Sequence, residues 1–104
     1  MSAARLPVVT VARAETYTAF RGAAAHVATI TLRGASRAQE MAAEAVDLGP
    51  WCKRDPYRRG VWHVSQPIPS GAFVATVLGE ADRIAVEFHA ERAADTIAAL
   101  LRQV

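Results

Sequence analysis

The sequence contains a single cysteine, Cys52, which excludes a disulfide bond within the chain. It also lacks any apolar run of about 18 residues, so it predicts no membrane-spanning helix. The short apolar run near the start is interrupted by Pro7 and ends at Arg13, which is too early for a secretory signal. From these absences we expect a cytoplasmic protein that contacts no membrane and has no disulfide framework.

Lys53 is the only lysine in the sequence, which contains eleven arginines. The basic residues are unevenly distributed along the chain. Residues 51–63 hold four basic residues and one acidic residue, for a net charge of +3. The other 91 residues hold eight basic and nine acidic residues, for a net charge of −1. A total of +2 predicts no broadly basic face of the kind that nucleic-acid-binding proteins use. The excess positive charge of the chain therefore lies within residues 51–63.

The length of 104 residues and the hydrophobic content of 52% predict a single domain over residues 1–104 that can bury a core without staples. Residues 1–6 are expected to form a flexible tail. Residues 49–60 are expected to form a long loop that connects two packed parts of the chain. Loops of this length within a compact domain are uncommon and are often functional.

Two amphipathic helices are predicted. The first begins after Ser36, because Ser36 and Gln39 form a capping-box pattern, and it ends before Gly49. The second occupies the last 16 residues, where apolar side chains recur at helical spacing. The apolar stripe of the first helix is predicted to consist of Ala38, Met41, Ala42, Ala45 and Leu48. This stripe predicts packing within the domain, with a homodimer seam as the alternative.

Six strands are predicted, in residues 7–13, 15–22, 26–33, 60–66, 71–79 and 82–89. The last segment alternates, with Ile84, Val86 and Phe88 on one side. Together with the helices they predict an α+β fold: a two-layer sandwich of a mainly antiparallel sheet and two helices on one face. The two halves also resemble each other, which favours either a βββα tandem repeat or a chance similarity between alanine-rich helices.

The segment WCKRDPYRRGVWH, residues 51–63, is the strongest candidate for a binding site. Arginine presents forked donors to carboxylates and phosphates, and tryptophan and tyrosine fill pockets or stack on flat partners. We therefore predict a small non-enzymatic binding protein, an adaptor, regulator or stoichiometric inhibitor, whose partner protein has an acidic surface. Nucleic-acid binding is one alternative. The other is a purely structural role, in which both tryptophans are buried at the edge of the core. The predicted contact residues are Trp51, Lys53, Arg54, Tyr57, Arg58, Arg59 and Trp62.

Motifs for catalysis and metal binding are weak. Cys52 lies beside basic residues and His63 lies eleven positions later, so a thiolate with a histidine base is one hypothesis. The sequence has no closely spaced metal ligands, no glycine-rich phosphate loop and no nucleophile elbow. We therefore predict no enzymatic activity, no metal and no cofactor.

Overall fold

The structure, a computed structural model, describes residues 7–18, 24–67 and 72–103, which form four strands and two helices. In chain order these are β1 (Val8–Thr18), β2 (Ala24–Arg33), α1 (Arg37–Ala45), β3 (Cys52–Arg54), β4 (Val61–Pro67) and α2 (Ala72–Leu101). The predicted tail at residues 1–6 lies outside the described residues, as does the end of the predicted strand at 15–22.

The strands form one antiparallel sheet in the order β1-β2-β4-β3. β1 pairs with β2 and β3 pairs with β4, so two hairpins meet where β2 lies against β4. α2 packs against β1, β2 and β4, and α1 packs against α2. The prediction of an α+β fold with an antiparallel sheet and two helices is therefore confirmed.

The number of strands was predicted wrongly. Residues 72–79 and 82–89 do not form strands, because both belong to the 30-residue helix α2. The alternation of Ile84, Val86 and Phe88 was misleading, since within the helix Val86 is fully buried while the other two are more than half exposed. The buried positions continue at helical spacing through Ala90 to Ile97, and this 3.6-residue pattern governs the segment. The sheet formed by the described residues has four strands, and the tandem repeat is not confirmed.

The first two predicted strands are one strand. β1 runs from Val8 to Thr18, and its register against β2 shifts between Ala12 and Glu15, which marks a β-bulge. The sequence between the two predicted strands therefore bends the strand instead of ending it. Conversely, the predicted loop at 49–60 contains the short strand β3, which was not predicted.

One core lies between the sheet and the helices. Alternate residues of the central strands, such as Ile30 of β2 and Val64 of β4, point toward α2 and are almost completely buried. α2 contributes Val86 and Ile97, which are fully buried. Among the described residues no helix lies on the opposite face of the sheet, so polar side chains such as His63 lie there at partial exposure.

The start of α1 was predicted correctly and its buried face was not. The Gln39 backbone N–H donates to Ser36 Oγ at 3.1 Å, and the Ser36 N–H donates to Gln39 Oε1 at 2.8 Å, which completes the capping box. However, Ala43 is the fully buried residue, whereas Met41 of the predicted stripe is 55% exposed. The alanines on several sides of this helix differ little in apolar area, so contact with α2 decides which of them is buried.

No helix in the described ranges combines the length and the apolarity needed to cross a membrane.

Candidate functional site

The segment predicted to bind a partner forms the β3–β4 hairpin. β3 and β4 pair with Lys53 opposite His63, and residues 55–60, here called the tip, connect the two strands. The Asp55 N–H donates to the Val61 carbonyl oxygen at 2.7 Å and closes the base of the tip. A turn built on a paired hairpin presents its side chains in fixed positions, which a long irregular loop does not do.

Asp55 organises the tip from within. Its Oδ1 accepts hydrogen bonds from the backbone N–H groups of Tyr57 at 2.8 Å and Arg58 at 2.9 Å. Its Oδ2 accepts from the Arg58 guanidinium at 3.2 Å and lies 2.8 Å from His63 Nε2. The hydrogen bond from His63, followed by that from the Tyr57 backbone, holds the pKa of Asp55 well below its usual range.

His63 connects the tip to the open face of the sheet. Because an ionised carboxylate only accepts hydrogen bonds, His63 Nε2 must donate to Asp55. In the neutral ring, Nδ1 then accepts from the hydroxyl of Thr29, whose Oγ1 lies 3.2 Å away. Thr29 is directly opposite His63 in the pairing of β2 with β4. The central strands of the sheet therefore fix the ring that fixes Asp55.

Acid should weaken the fold through Asp55. Because folding lowers the pKa of Asp55, its contribution to stability is complete above about pH 4, the usual carboxyl pKa, and is lost as the pH falls through the lowered value. Asp55→Asn keeps an acceptor for the backbone N–H groups but cannot accept from both His63 and Arg58. We expect urea midpoints of the wild type to fall more steeply between pH 4 and 2 than those of the variant. Parallel curves would contradict this role.

A glycine locks the tip against the neighbouring strand. Gly60 has φ of +70°, and its carbonyl oxygen accepts from the Leu32 N–H at 2.7 Å. A Cβ at Gly60 would lie 2.8 Å from the Leu32 carbonyl oxygen. The backbone of the tip therefore lies against β2 at a distance that only glycine permits.

The two tryptophans have different environments. Trp62 faces the core and is 3% exposed, so it cannot contact a partner in the folded protein. Trp51 is 36% exposed at the base of the hairpin, and its ring meets His89 of α2 edge-on at 4.5 Å. Of the two, Trp51 alone presents a surface to solvent.

The cationic side chains also divide into two groups. Arg54 NH1 contacts Glu44 Oε2 of α1 at 2.8 Å, and Arg58 contacts Asp55. By contrast, Lys53 and Arg59 have no ion-pair partner among the described residues and are exposed. Tyr57 is 94% exposed. The structure thus brings Tyr57, Arg58 and Arg59 together at the tip, with Arg54 beside them and Trp62 apart from them.

Cys52 and His63 do not form the pair considered from the sequence. Cys52 is opposite Val64, a core residue, whereas His63 points to the other face of the sheet. Neighbouring positions of a paired strand face opposite sides, so the thiol cannot reach the imidazole. Burial raises the pKa of Cys52 to about 11, and the group is therefore a neutral thiol at pH 7.

Slow alkylation should report this burial. With its pKa raised to about 11 from 9.0, Cys52 holds about a hundredfold less thiolate at pH 8. We expect iodoacetamide to modify the folded chain about a hundredfold more slowly than the chain unfolded in urea, which serves as the control. Equal rates would show that the thiol is exposed.

Two depressions lie one after the other along β3. The tip groove, about 230 Å³, is lined by Glu44, Arg54, Tyr57, Arg58 and Arg59 together with the base of the tip. The apolar pocket, about 240 Å³, is lined mainly by Leu48, Trp51, Cys52, Val64 and His89. In the described part of the chain, no three His, Cys, Asp or Glu side chains converge in a way that could hold a metal ion.

Three residues that help to build this site, Asp55, Thr29 and Glu44, were not predicted from the sequence. Asp55 precedes Pro56, and Asp followed by Pro is typical of the first two positions of a type I turn, so the role of Asp55 had a readable signal. Thr29 and Glu44 had none, because they reach the hairpin from β2 and α1, which lie far from it in sequence.

Comparison of the chain with protein-family models, with curated proteins and with solved structures found no match. A function for this chain is therefore inferred from the chemistry of the hairpin.

Proposed function

We propose that the protein is a non-enzymatic binding protein that recognises an acidic surface of a partner protein through the tip. The observation that carries this proposal is Tyr57, which is 94% exposed on a turn that hydrogen bonds hold in one conformation. A large aromatic side chain in water costs free energy unless a partner covers it, and tyrosine and arginine dominate the binding energy of many interfaces.

The order of the tip supports binding at a low entropic cost. Asp55 and Gly60 fix the backbone before any partner arrives, so less conformational freedom is lost on association. A site that had to order a dozen residues would lose part of its affinity to that ordering. The tip needs only to fix the side chains of Tyr57 and Arg59.

The charge around the tip selects an anionic partner. Four basic side chains surround it, and Glu44 and Asp55 compensate two of them, which leaves a net charge of +2. Arg59 and Lys53 make no ion pair with any described residue, so their charges are available. Guanidinium groups bind carboxylates through two parallel hydrogen bonds, which provides orientation as well as attraction.

A double variant that tests this proposal removes the side chains of Tyr57 and Arg59 and keeps the turn. Tyr57→Ala with Arg59→Ala should raise the Kd for the partner at least about thirtyfold, equivalent to about 2 kcal/mol. Because both side chains are exposed, unfolding free energy should change by less than about 0.5 kcal/mol. Arg58 is left in place because it contacts Asp55, so its loss could weaken binding by unfolding the turn. Arg102→Ala, an exposed arginine at the end of α2, is the matched control.

The measurement begins with capture of proteins by the immobilised full chain from a nuclease-treated extract. A partner that the wild type and Arg102→Ala retain and that the double variant loses supports the proposal, and its Kd is then measured for all three. Retention by the double variant contradicts it. Binding of an oligonucleotide that falls steeply with salt, in place of a protein, would show that the arginines meet phosphates.

A further inference from the structure

The tip groove and the apolar pocket follow one another along β3. Arg54 lines the first and Cys52 lines the second, and both side chains lie on the helix-facing side of the sheet because they are opposite Trp62 and Val64. Two residues of a strand span roughly 7 Å. The same order recurs on the opposite wall, where Glu44 of α1 lines the groove and Leu48 lines the pocket.

β3 is an edge strand whose outer side can accept another strand. The Ser65 N–H donates to the Trp51 carbonyl at 3.1 Å, and the Asp55 N–H donates to the Val61 carbonyl at 2.7 Å. In an antiparallel pair the residues that bond to the partner alternate with residues that point away from it. Arg54 lies between two bonding positions, so its N–H and carbonyl face away from β4. The Cys52 N–H also faces away from β4 but donates to the Gly49 carbonyl at 3.3 Å, so an added strand would pair mainly with the N–H and carbonyl of Arg54. Edge strands of this kind bind extended peptides.

Resting on the proposed function, we propose that the partner contributes an extended acidic–apolar peptide that adds to the edge of β3. Its carboxylate enters the tip groove, and an apolar side chain two residues away enters the apolar pocket. The spacing follows from the strand, since residues i and i+2 of an added strand point to the same face as Arg54 and Cys52. Adjacent residues would point to opposite faces and could not fill both depressions.

Each depression selects its side chain by chemistry. Three guanidinium groups line the tip groove, and two of them already contact carboxylates of this chain, which shows that their geometry suits that group. The walls of the apolar pocket are leucine, tryptophan and valine side chains with a neutral thiol, and the ring of His89 is the one polar side chain among them. A cavity of about 150 Å³ can hold benzene, so the space of about 240 Å³ admits the side chain of phenylalanine or leucine.

Blocked octapeptides test the spacing on the full chain. The matched peptide carries Glu and Phe two positions apart in a serine–threonine background; one control places them side by side, and another replaces Glu by Gln. Binding is measured by the fluorescence of Trp51 and by amide NMR shifts. We expect the matched peptide to bind at least tenfold more tightly than either control, with the largest shifts at residues 52–54 and 57–59.

A protein variant tests the carboxylate contact separately. Arg54→Ala should weaken the Glu peptide at least fivefold and leave the Gln peptide unchanged, whereas Arg102→Ala should affect neither. Arg54 is 54% exposed but Glu44 is only 15% exposed, so the melting temperature of the variant must first show that it still folds without this ion pair. Methylation of the peptide backbone at the N–H that faces β3 should abolish binding, because a strand cannot pair without it.

The inference is overturned if no peptide binds at millimolar concentration, if the spacing makes no difference, or if the shifts map to the open face of the sheet or to α2. Displacement of the peptide by an oligonucleotide would also overturn it. In any of these cases, loss of the captured partner in the Tyr57→Ala, Arg59→Ala variant would leave the proposed function standing. If that variant retains its partner as well, the proposed function fails too.

Discussion

Trp62→Ala should lower the free energy of unfolding by about 3–5 kcal/mol. Trp62 is 3% exposed in the central strand β4, and its ring belongs to the core cluster that includes Ile30 and Ile97. Truncation removes the apolar burial of an indole and leaves a cavity that the surrounding sheet fills only in part. Domains of this size have a total stability of about 5–15 kcal/mol, so a large fraction of the chains would unfold on mild heating. Urea unfolding measures the loss.

Trp51→Ala is the internal control for this result. Trp51 is the other tryptophan of this hairpin, but it is 36% exposed and its ring makes an edge-on contact with His89. We expect its loss to cost about 1 kcal/mol, as for a typical partly exposed side chain. If Trp62→Ala folded with unchanged stability and lost partner binding, the assignment of this residue to the core would be wrong.

Gly60→Ala should destabilise the protein by about 2–4 kcal/mol. A non-glycine residue in the left-handed region costs about 1–2 kcal/mol, and Gly60 has φ of +70°. In addition, the new Cβ would lie 2.8 Å from the Leu32 carbonyl oxygen, which belongs to a strand and cannot rotate away. The tip would therefore have to separate from β2 and lose the hydrogen bond between the Leu32 N–H and the Gly60 carbonyl.

Gly49→Ala separates conformational strain from the clash. Gly49 also has a positive φ, +97°, but a Cβ there has no atom within 4 Å. We expect a cost of about 1 kcal/mol from the backbone conformation alone. Chemical unfolding of both variants gives the difference, and equal effects would mean that the tip does not lie against β2 as described.

The two large effects define which residues of the hairpin are unsuitable for testing binding. Trp62 and Gly60 hold the hairpin in place, so their substitution would reduce partner binding by unfolding the site. Tyr57 and Arg59 hold nothing in place, because one is almost fully exposed and the other makes no ion pair with the described residues. A binding defect in the latter pair alone therefore reports contact.

Local sequence signals determined the elements that depend on neighbouring residues. The capping box at Ser36 and Gln39 fixed the start of α1, because both hydrogen bonds form within one turn. The predicted strands at residues 26–33 and 60–66 correspond to β2 and β4, since runs rich in β-branched and aromatic residues favour strands wherever they lie in the fold. The charge of +3 likewise distinguished residues 51–63 from the rest of the chain before any fold was known.

Tertiary structure decided whatever depends on distant segments. Whether residues 72–89 form strands or a helix was ambiguous locally, because short apolar runs with Ile84, Val86 and Phe88 suit both periods. The buried residues of this segment and those farther along α2 form one helical face that packs against the sheet, and this packing selects the helix. The face of α1 was equally undetermined, since alanines occur on several of its sides and only contact with α2 distinguishes Ala43 from the others.

The division between Trp51 and Trp62 shows the same limit at the site. The sequence determined that aromatic rings and guanidinium groups are concentrated in residues 51–63, because composition and spacing are properties of the chain alone. Only the tertiary structure decided that Trp62 belongs to the core, that Glu44 holds Arg54, and that Tyr57 remains in water. Burial and ion pairing are set by residues that approach from β2, α1 and α2, and no local pattern records where those elements will lie.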